Sequence, residues 1–315
     1  MSRHLLSLDN IQRLFFLIQT LQTTMKIDFL KQPTISTRFA LGSVLVLTTV
    51  SVSLSAVSDA KATVRRALHV RRTVGSVTTL AGYRKRTQPG DQLTDVGHGI
   101  ITGRRASANL RIDGGSGSIA VAQNTHMTVE RLSVSPNGGY VTVLDVERGQ
   151  ARVQVRPFTN PSSRFELRTP SGVAAVRGTE FGVSVSEAGK TGIATLEGKV
   201  EASAQFVEVP VEAGMVSVIR PGEIPTPAKP LDRTLDIQWK RYEWKDNQLY
   251  IEGYVDAANL LFVAGNEIPV NRAGYFKAEI RLKKRTHRVK ATVKNAVGET
   301  RNHHLFRWIT HRFDT

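Results

Sequence analysis

Arg168-Thr-Pro-Ser-Gly-Val-Ala-Ala-Val-Arg-Gly-Thr-Glu-Phe-Gly-Val183 is the stretch around which the 315-residue chain is organised. Thr169-Pro170-Ser171-Gly172 reads as a turn, because Pro fixes one φ angle and Gly supplies the permissive one. Val173, Ala174, Ala175 and Val176 then form a short apolar strand whose small side chains let another layer approach closely. Arg177-Gly178-Thr179-Glu180-Phe181 sets two opposite charges around a glycine in an apolar run. That pattern predicts a bulge or tight bend in which a buried Arg177 finds a carboxylate or carbonyl partner, the nearest candidate being Glu180.

Short strands surround this stretch. Upstream, Val74–Leu80, Ala108–Ile112, Ser118–Ala122, Met127–Leu132, Tyr140–Leu144 and Ala151–Val155 mostly alternate with period two. Asp113–Gly117, Asn137–Gly139 and Arg148-Gly149 punctuate them as turns. Downstream come Gly192–Leu196, Lys199–Ala202, Phe206–Val211 and Met215–Ile219. No segment here sustains a helical period. Strands at this spacing predict a sandwich, barrel or solenoid, and no strict repeat chooses among them.

The residues on either side of the central stretch keep a characteristic order. They are Gly75-Ser-Val77, Pro89-Gly-Asp-Gln-Leu93, Gly99–Gly103 with Ser107–Leu110, Asp113-Gly114, Val121–Thr125, Thr195–Val200 with Gly198, and Glu212-Ala-Gly214. Over roughly residues 73–220 this resembles the FecR-type domain, a family of periplasmic regulators of ferric-siderophore uptake. The resemblance implies a β-solenoid-like or rolled stack of short strands. Its structural hallmark maps here onto Pro170, Gly172, Val176, Arg177, Gly178, Thr179, Glu180, Phe181 and Gly198. It also implies a protein that contacts an outer-membrane receptor or relays a signal to a sigma-factor system. Members acting on sigma factors carry a helical cytoplasmic segment before their membrane span. At most 38 residues precede the apolar run here, so direct sigma-factor control is not expected.

That apolar run is Phe39–Ser58, preceded by Lys26, Lys31 and Arg38 and followed by Ala60-Lys61-Ala62. Positive, apolar and small-x-small regions in that order describe a signal peptide cleaved after Ala62. An uncleaved membrane anchor is the alternative, and Met25 is an alternative start. Residues 1–62 are thus read as extension and signal segment, and 63–72 as a mobile basic lead-in.

Pro221-Gly-Glu-Ile-Pro-Thr-Pro-Ala-Lys-Pro230 holds four prolines in ten residues and reads as a semi-rigid linker. Beyond it, residues 231–315 contain a second set of strands and all three Trp. Val263–Val270, Asn271–Phe276 and Val293–Gly298 resemble a small bacterial immunoglobulin-like β-sandwich. The fold class is therefore all-β, with a FecR-type domain followed by a second sandwich.

Composition narrows the chemistry. There is no Cys, which removes disulfides, thiolate nucleophiles and Cys-based zinc sites. The formal charge is +16, and residues 63–315 still carry 37 Lys and Arg against 24 Asp and Glu. Anionic partners suit that balance, with Arg281, Lys283, Lys284 and Arg285 as the densest candidate contacts. No aromatic-interleaved basic motif supports nucleic acid. His303-His304 is predicted in a strand, where the two rings point to opposite faces and cannot share a metal. Ser171 lacks the Gly-x-Ser-x-Gly context of a nucleophile.

No cofactor, metal or catalytic residue is expected, and the chain reads as a binding protein rather than an enzyme. The favoured reading is an exported envelope protein, periplasmic or at the cell surface, that binds or scaffolds anionic wall or surface polysaccharide. The alternative is a periplasmic sensor or regulator contacting an outer-membrane receptor or another signalling protein.

Overall fold

The computed structural model describes residues 65–283 and 286–307. The expected signal segment, its cleavage site and the alternative start lie outside these residues. So do Lys284 and Arg285. Among the described residues no helix is long and apolar enough to cross a membrane.

The first part of the chain is strands joined by tight turns. They begin with β1 (Leu68–Val74), β2 (Val77–Leu80), β3 (Arg84–Arg86), β4 (Gln92–Leu93), β5 (Gly99–Thr102) and β6 (Ser107–Ile112). Next come β7 (Gly117–Val121), β8 (His126–Val134), β9 (Tyr140–Val155), β10 (Arg164–Arg168) and β11 (Val173–Val176). The set closes with β12 (Glu180–Val185), β13 (Thr191–Glu197), β14 (Lys199–Ala204), β15 (Val207–Glu212), β16 (Met215–Ile219) and β17 (Lys229–Pro230).

Hydrogen bonding sorts these strands into two sheets. One runs β4-β1-β6-β7-β9-β12-β13-β16-β17. The other runs β3-β2-β5-β8-β9-β10-β11-β14-β15. The chain lays strand pairs alternately on one sheet and then the other: β8 with the first half of β9, then β10 and β11 on the second; β12 and β13 on the first; β14 and β15 back on the second. The result is a rolled stack, antiparallel except where β10 runs parallel to β9.

Alternation along each strand supplies the core. Strands β6 and β10 bury every second residue, and the buried set includes Leu68, Leu110, Ile119, Leu144, Phe165, Leu167 and Phe181. Phe165 and Phe181 meet edge to face from opposite sheets, with ring centroids 6.3 Å apart. In β11 only Ala174 and Val176 face this core, while Val173 and Ala175 are half-buried on the other side. The small side chains thus serve one interface, not two.

Three local expectations change. Tyr140–Leu144 and Ala151–Val155 are not separate strands but the ends of β9, which pairs in the second sheet through its first half and in the first sheet through its second. Gly149, at φ +97°, kinks the strand against Thr125 instead of reversing it. Conversely, Val74–Leu80 is divided, because Gly75 at φ +71° breaks the ladder between β1 and β2.

The described part of the lead-in is built into the fold. Arg66 is 4% exposed, and β1 begins two residues later. Its guanidinium donates to both Asp113 oxygens at 2.9 Å, to Thr142 Oγ1 at 3.0 Å and to the Val141 carbonyl at 2.7 Å. The Tyr140 ring lies 4.7 Å from it. A buried Arg is retained because every face of it is answered.

The second part is a seven-stranded sandwich. Its strands are β18 (Gln238–Lys245), β19 (Gln248–Tyr254), β20 (Leu260–Val263), β21 (Asn266–Ile268), β22 (Tyr275–Arg281), β23 (Arg288–Lys294) and β24 (Thr300–Phe306). One sheet is β18-β19-β22 and the other β21-β20-β23-β24. Leu249, Ile251, Leu261, Phe276, Ala291 and Val293 fill the space between them. The proline-rich stretch connects the two parts while touching both: Lys229-Pro230 pairs with β16, and Leu231 is buried.

Candidate functional site

The family-like residues form a corner where the chain passes from one sheet to the other. Strand β11 belongs to the second sheet and β12 to the first, so Arg177-Gly178-Thr179 must cross between layers. Before the crossing, Pro170 and Ser171 make the tip of the β10–β11 hairpin. Thr169 closes it: its N–H and its hydroxyl each donate to the Gly172 carbonyl at 2.9 Å, and Gly172 N–H donates back to Thr169 Oγ1 at 3.2 Å.

At the crossing, Thr179 exchanges both backbone bonds with Val155 at 3.0 Å. Its hydroxyl donates to the Lys199 carbonyl at 3.0 Å, tying in the β13–β14 turn. Gly178 takes φ +142° with its Cα hydrogen facing Pro157, where a side chain would collide. Gly198, at φ +78°, lies against the Gly178 carbonyl. Phe181, fully buried, follows a register shift at Glu180. The expected tight bend is therefore at Gly178, while the bulge lies on the partner strand β13, where Leu196 is the extra residue.

Of the two partners expected for Arg177, a carboxylate or a carbonyl, the structure has the carbonyl and not Glu180. Arg177 is exposed rather than buried, and its guanidinium donates to the Pro161 carbonyl. Glu180 instead receives a hydrogen bond from Arg152 Nε on β9 at 2.8 Å. The physical reason is the regular pairing of β12 with β9: Glu180 stands opposite Gln154 and so shares the outer face of the first sheet with Arg152, two residues along that strand.

That outer face carries a groove of about 860 Å³ beside the corner, lined by Gly178, Thr179, Glu180 and Gly198 on one side. Arg71, Arg111 and Arg156 line it as well. None of these three guanidiniums has a carboxylate partner among the described residues. The sequence clusters marked other residues. Arg281 and Lys283 lie exposed at the end of β22, apart from this groove's lining.

The rest of the same outer face is covered by the second sandwich. Gly182 packs against the Ala296 backbone so closely that a Cβ would collide with it. Ala194, Val216, Val218, Leu231, Ala258, Ala296 and Val297 form a small core at this junction. Lys190 is 8% exposed and donates to the carbonyls of Ala257 at 3.0 Å and Asn259 at 2.8 Å. Burial pushes its ammonium down to about 8. Gln150 Nε2 donates to the Asn295 carbonyl at 2.6 Å, and Lys229 Nζ lies 2.8 Å from Asp256. Sequence reading assigned none of these a role. The signal available was the glycine of Phe181-Gly182-Val183 in a strand interior, a mark of close backbone approach.

Among the described residues no group of three or more His, Asp and Glu is placed to hold a metal ion. His303 bonds the Leu235 carbonyl at 2.9 Å and His304 faces Arg288, so the two rings serve different faces.

Residues 98–201 match the family model described as FecR protein, a span running from β5 into β14 and including the corner. No curated protein matches the chain. Two crystal structures of a candidate anti-sigma factor from Parabacteroides distasonis are similar in part. One is 17% identical, covering 51% of this chain and 68% of that one, with a TM-score of 0.38. The other is 15% identical, covering 59% and 86%, also with a TM-score of 0.38. Residues 98–201 of this chain are thus similar to the FecR family, and the matched segment is built as the central strands of the rolled stack.

Proposed function

We propose that this chain is an exported regulatory protein that works outside the cytoplasm by contacting another envelope protein, in the manner of a periplasmic sensor. The observation that carries this reading is the FecR-family match over residues 98–201, which includes the whole corner from Pro170 to Gly198. The corner itself is scaffold: its glycines and Thr179 are spent on holding the sheets together. Recognition then falls to the surface it shapes, the groove with Arg71, Arg111 and Arg156. We read the second sandwich as immunoglobulin-like, supported by its seven strands divided three and four. It acts as a rigid extension of the first.

The same arginines favour a second reading, binding or scaffolding of anionic wall or surface polysaccharide. Such binding would weaken steeply with salt. The family match favours the regulatory reading over it. Neither reading uses a catalytic group or a cofactor.

Crosslinking in living cells with a tagged chain, followed by mass spectrometry, separates them. Recovery of one outer-membrane receptor or inner-membrane protein, lost on Arg111→Glu with Arg156→Glu, supports regulation. Recovery of wall or polysaccharide fragments that wash off at high salt overturns it in favour of scaffolding.

A further inference from the structure

A second recess lies where the two sandwiches meet, distinct from the arginine groove. Its volume is about 400 Å³. The first sandwich contributes Ile101, Val185, Gln123 and Arg148; the second contributes Leu260, Phe262, Glu267 and Lys294. Neither part forms it alone. Clefts between domains with an apolar floor and a few convergent polar groups are the usual setting of small-ligand sites.

The charged pair on the second sandwich sets the chemistry. Glu267 stands opposite Phe262 on one side of β20, and Lys294 stands opposite Leu260 on the other. The two residues are thus two strands and two positions apart, about 12 Å at the backbone, with the apolar side chains between them. Both are half-buried, and neither is in ion-pair contact with an opposite charge among the described residues. Glu267 receives only long bonds from the Glu187 N–H, at 3.3 and 3.4 Å, and the Lys294 ammonium lies 5.0 Å from the Phe262 ring. Burial pushes the Glu267 carboxyl up and the Lys294 ammonium down, and their mutual attraction, with the Glu187 N–H on Glu267, offsets this only in part.

We infer that this recess binds a free α-amino acid, its ammonium on Glu267, its carboxylate on Lys294 and its side chain over Leu260 and Phe262. A ligand carrying both charges a few bonds apart supplies each half-buried ion with the partner it lacks. A simple anion would leave Glu267 unanswered and a simple cation would leave Lys294 so. The inference stands independently of which envelope partner the FecR-type domain contacts.

The test is isothermal titration calorimetry on the purified full chain with L- and D-α-amino acids, and with the matching amines and N-acetylated acids as controls. At least one amino acid is expected to bind, with its amine and N-acetyl counterparts at least ten-fold weaker. Glu267→Gln and Lys294→Met are each expected to weaken it ten-fold or more while leaving the melting temperature of the free protein within a few degrees. The inference is overturned if no amino acid binds, or if the singly charged controls bind as well as the zwitterion. It is also overturned if both variants keep the parent affinity. The controls need no variant, so a folding defect cannot protect the idea.

Discussion

The carbonyl oxygen of Gly178 lies 2.9 Å from the point at which a Cβ on Gly198 would stand. Gly198 also holds φ +78°, a region that a side chain strains. Two turns far apart in sequence are thereby nested at the sheet crossing. Gly198→Ala must both strain its own backbone and displace the corner. It should lower stability by about 2–3 kcal/mol in urea unfolding. A loss below about 1 kcal/mol would show that the nesting is dispensable.

Arg177 should behave in the opposite way. Exposed and bonded to one carbonyl, it contributes little to folding, and Arg177→Ala should cost under about 1 kcal/mol. Measured alongside Gly198→Ala, it separates a scaffold residue from a surface one. A loss of partner crosslinking with Arg177→Ala at unchanged stability would assign it to recognition.

Arg66 anchors the start of the fold through Asp113, Thr142 and the Val141 carbonyl. Its removal leaves a poorly solvated carboxylate and two orphaned acceptors. Arg66→Ala is therefore expected to cost roughly 3–5 kcal/mol, read by chemical denaturation.

Lys190 gives the protein an alkaline gain in stability. Its folded ammonium is pushed down by burial to about 8 from 10.5. Between those values the unfolded chain holds a proton that the folded chain has released, so stability rises with pH. Below pH 8 both states are protonated and the penalty is constant. Against Lys190→Met, the parent should gain up to roughly 3 kcal/mol between pH 8 and 10.5. Parallel pH profiles for the two proteins would refute the assignment.

The tip of the β14–β15 hairpin is strained: Gln205 and Phe206 take φ +51° and +62°, and the Phe206 ring is fully exposed. Two-residue hairpins of this kind favour Asn-Gly. Gln205→Asn with Phe206→Gly should stabilise by about 1 kcal/mol, a rise of about 2–4 °C in thermal melting.

Much of this architecture was legible because period-two alternation reports which face of a strand is buried, as in Ser107–Ile112 and Arg164–Arg168. Turn chemistry located the Thr169–Gly172 tip for the same local reason. The sheet to which each strand belongs was not legible, since that depends on partners distant in sequence. Arg148-Gly149 shows the limit: a turn and a kinked continuous strand share one local signature, and only the pairing of β9 on both sides decides. Pairing of Arg177 with Glu180 failed similarly, because Arg177 lies before the crossing and meets the Pro161 carbonyl, while Glu180 belongs to β12 and meets Arg152 on the neighbouring strand. The junction and its Glu267 and Lys294 recess could not be read, being made by residues of both sandwiches that lie far apart in sequence.

Strand β9 has a mechanical consequence. Its sixteen residues form two extended halves that meet at the Gly149 kink, one clamped in each layer. The strand meets the family corner at Val155 and the second sandwich at Gln150. A push on either layer, or on the distal sandwich, loads the same strand. Displacement of one layer is therefore felt by the other through a single covalent segment, whose direction changes at Gly149.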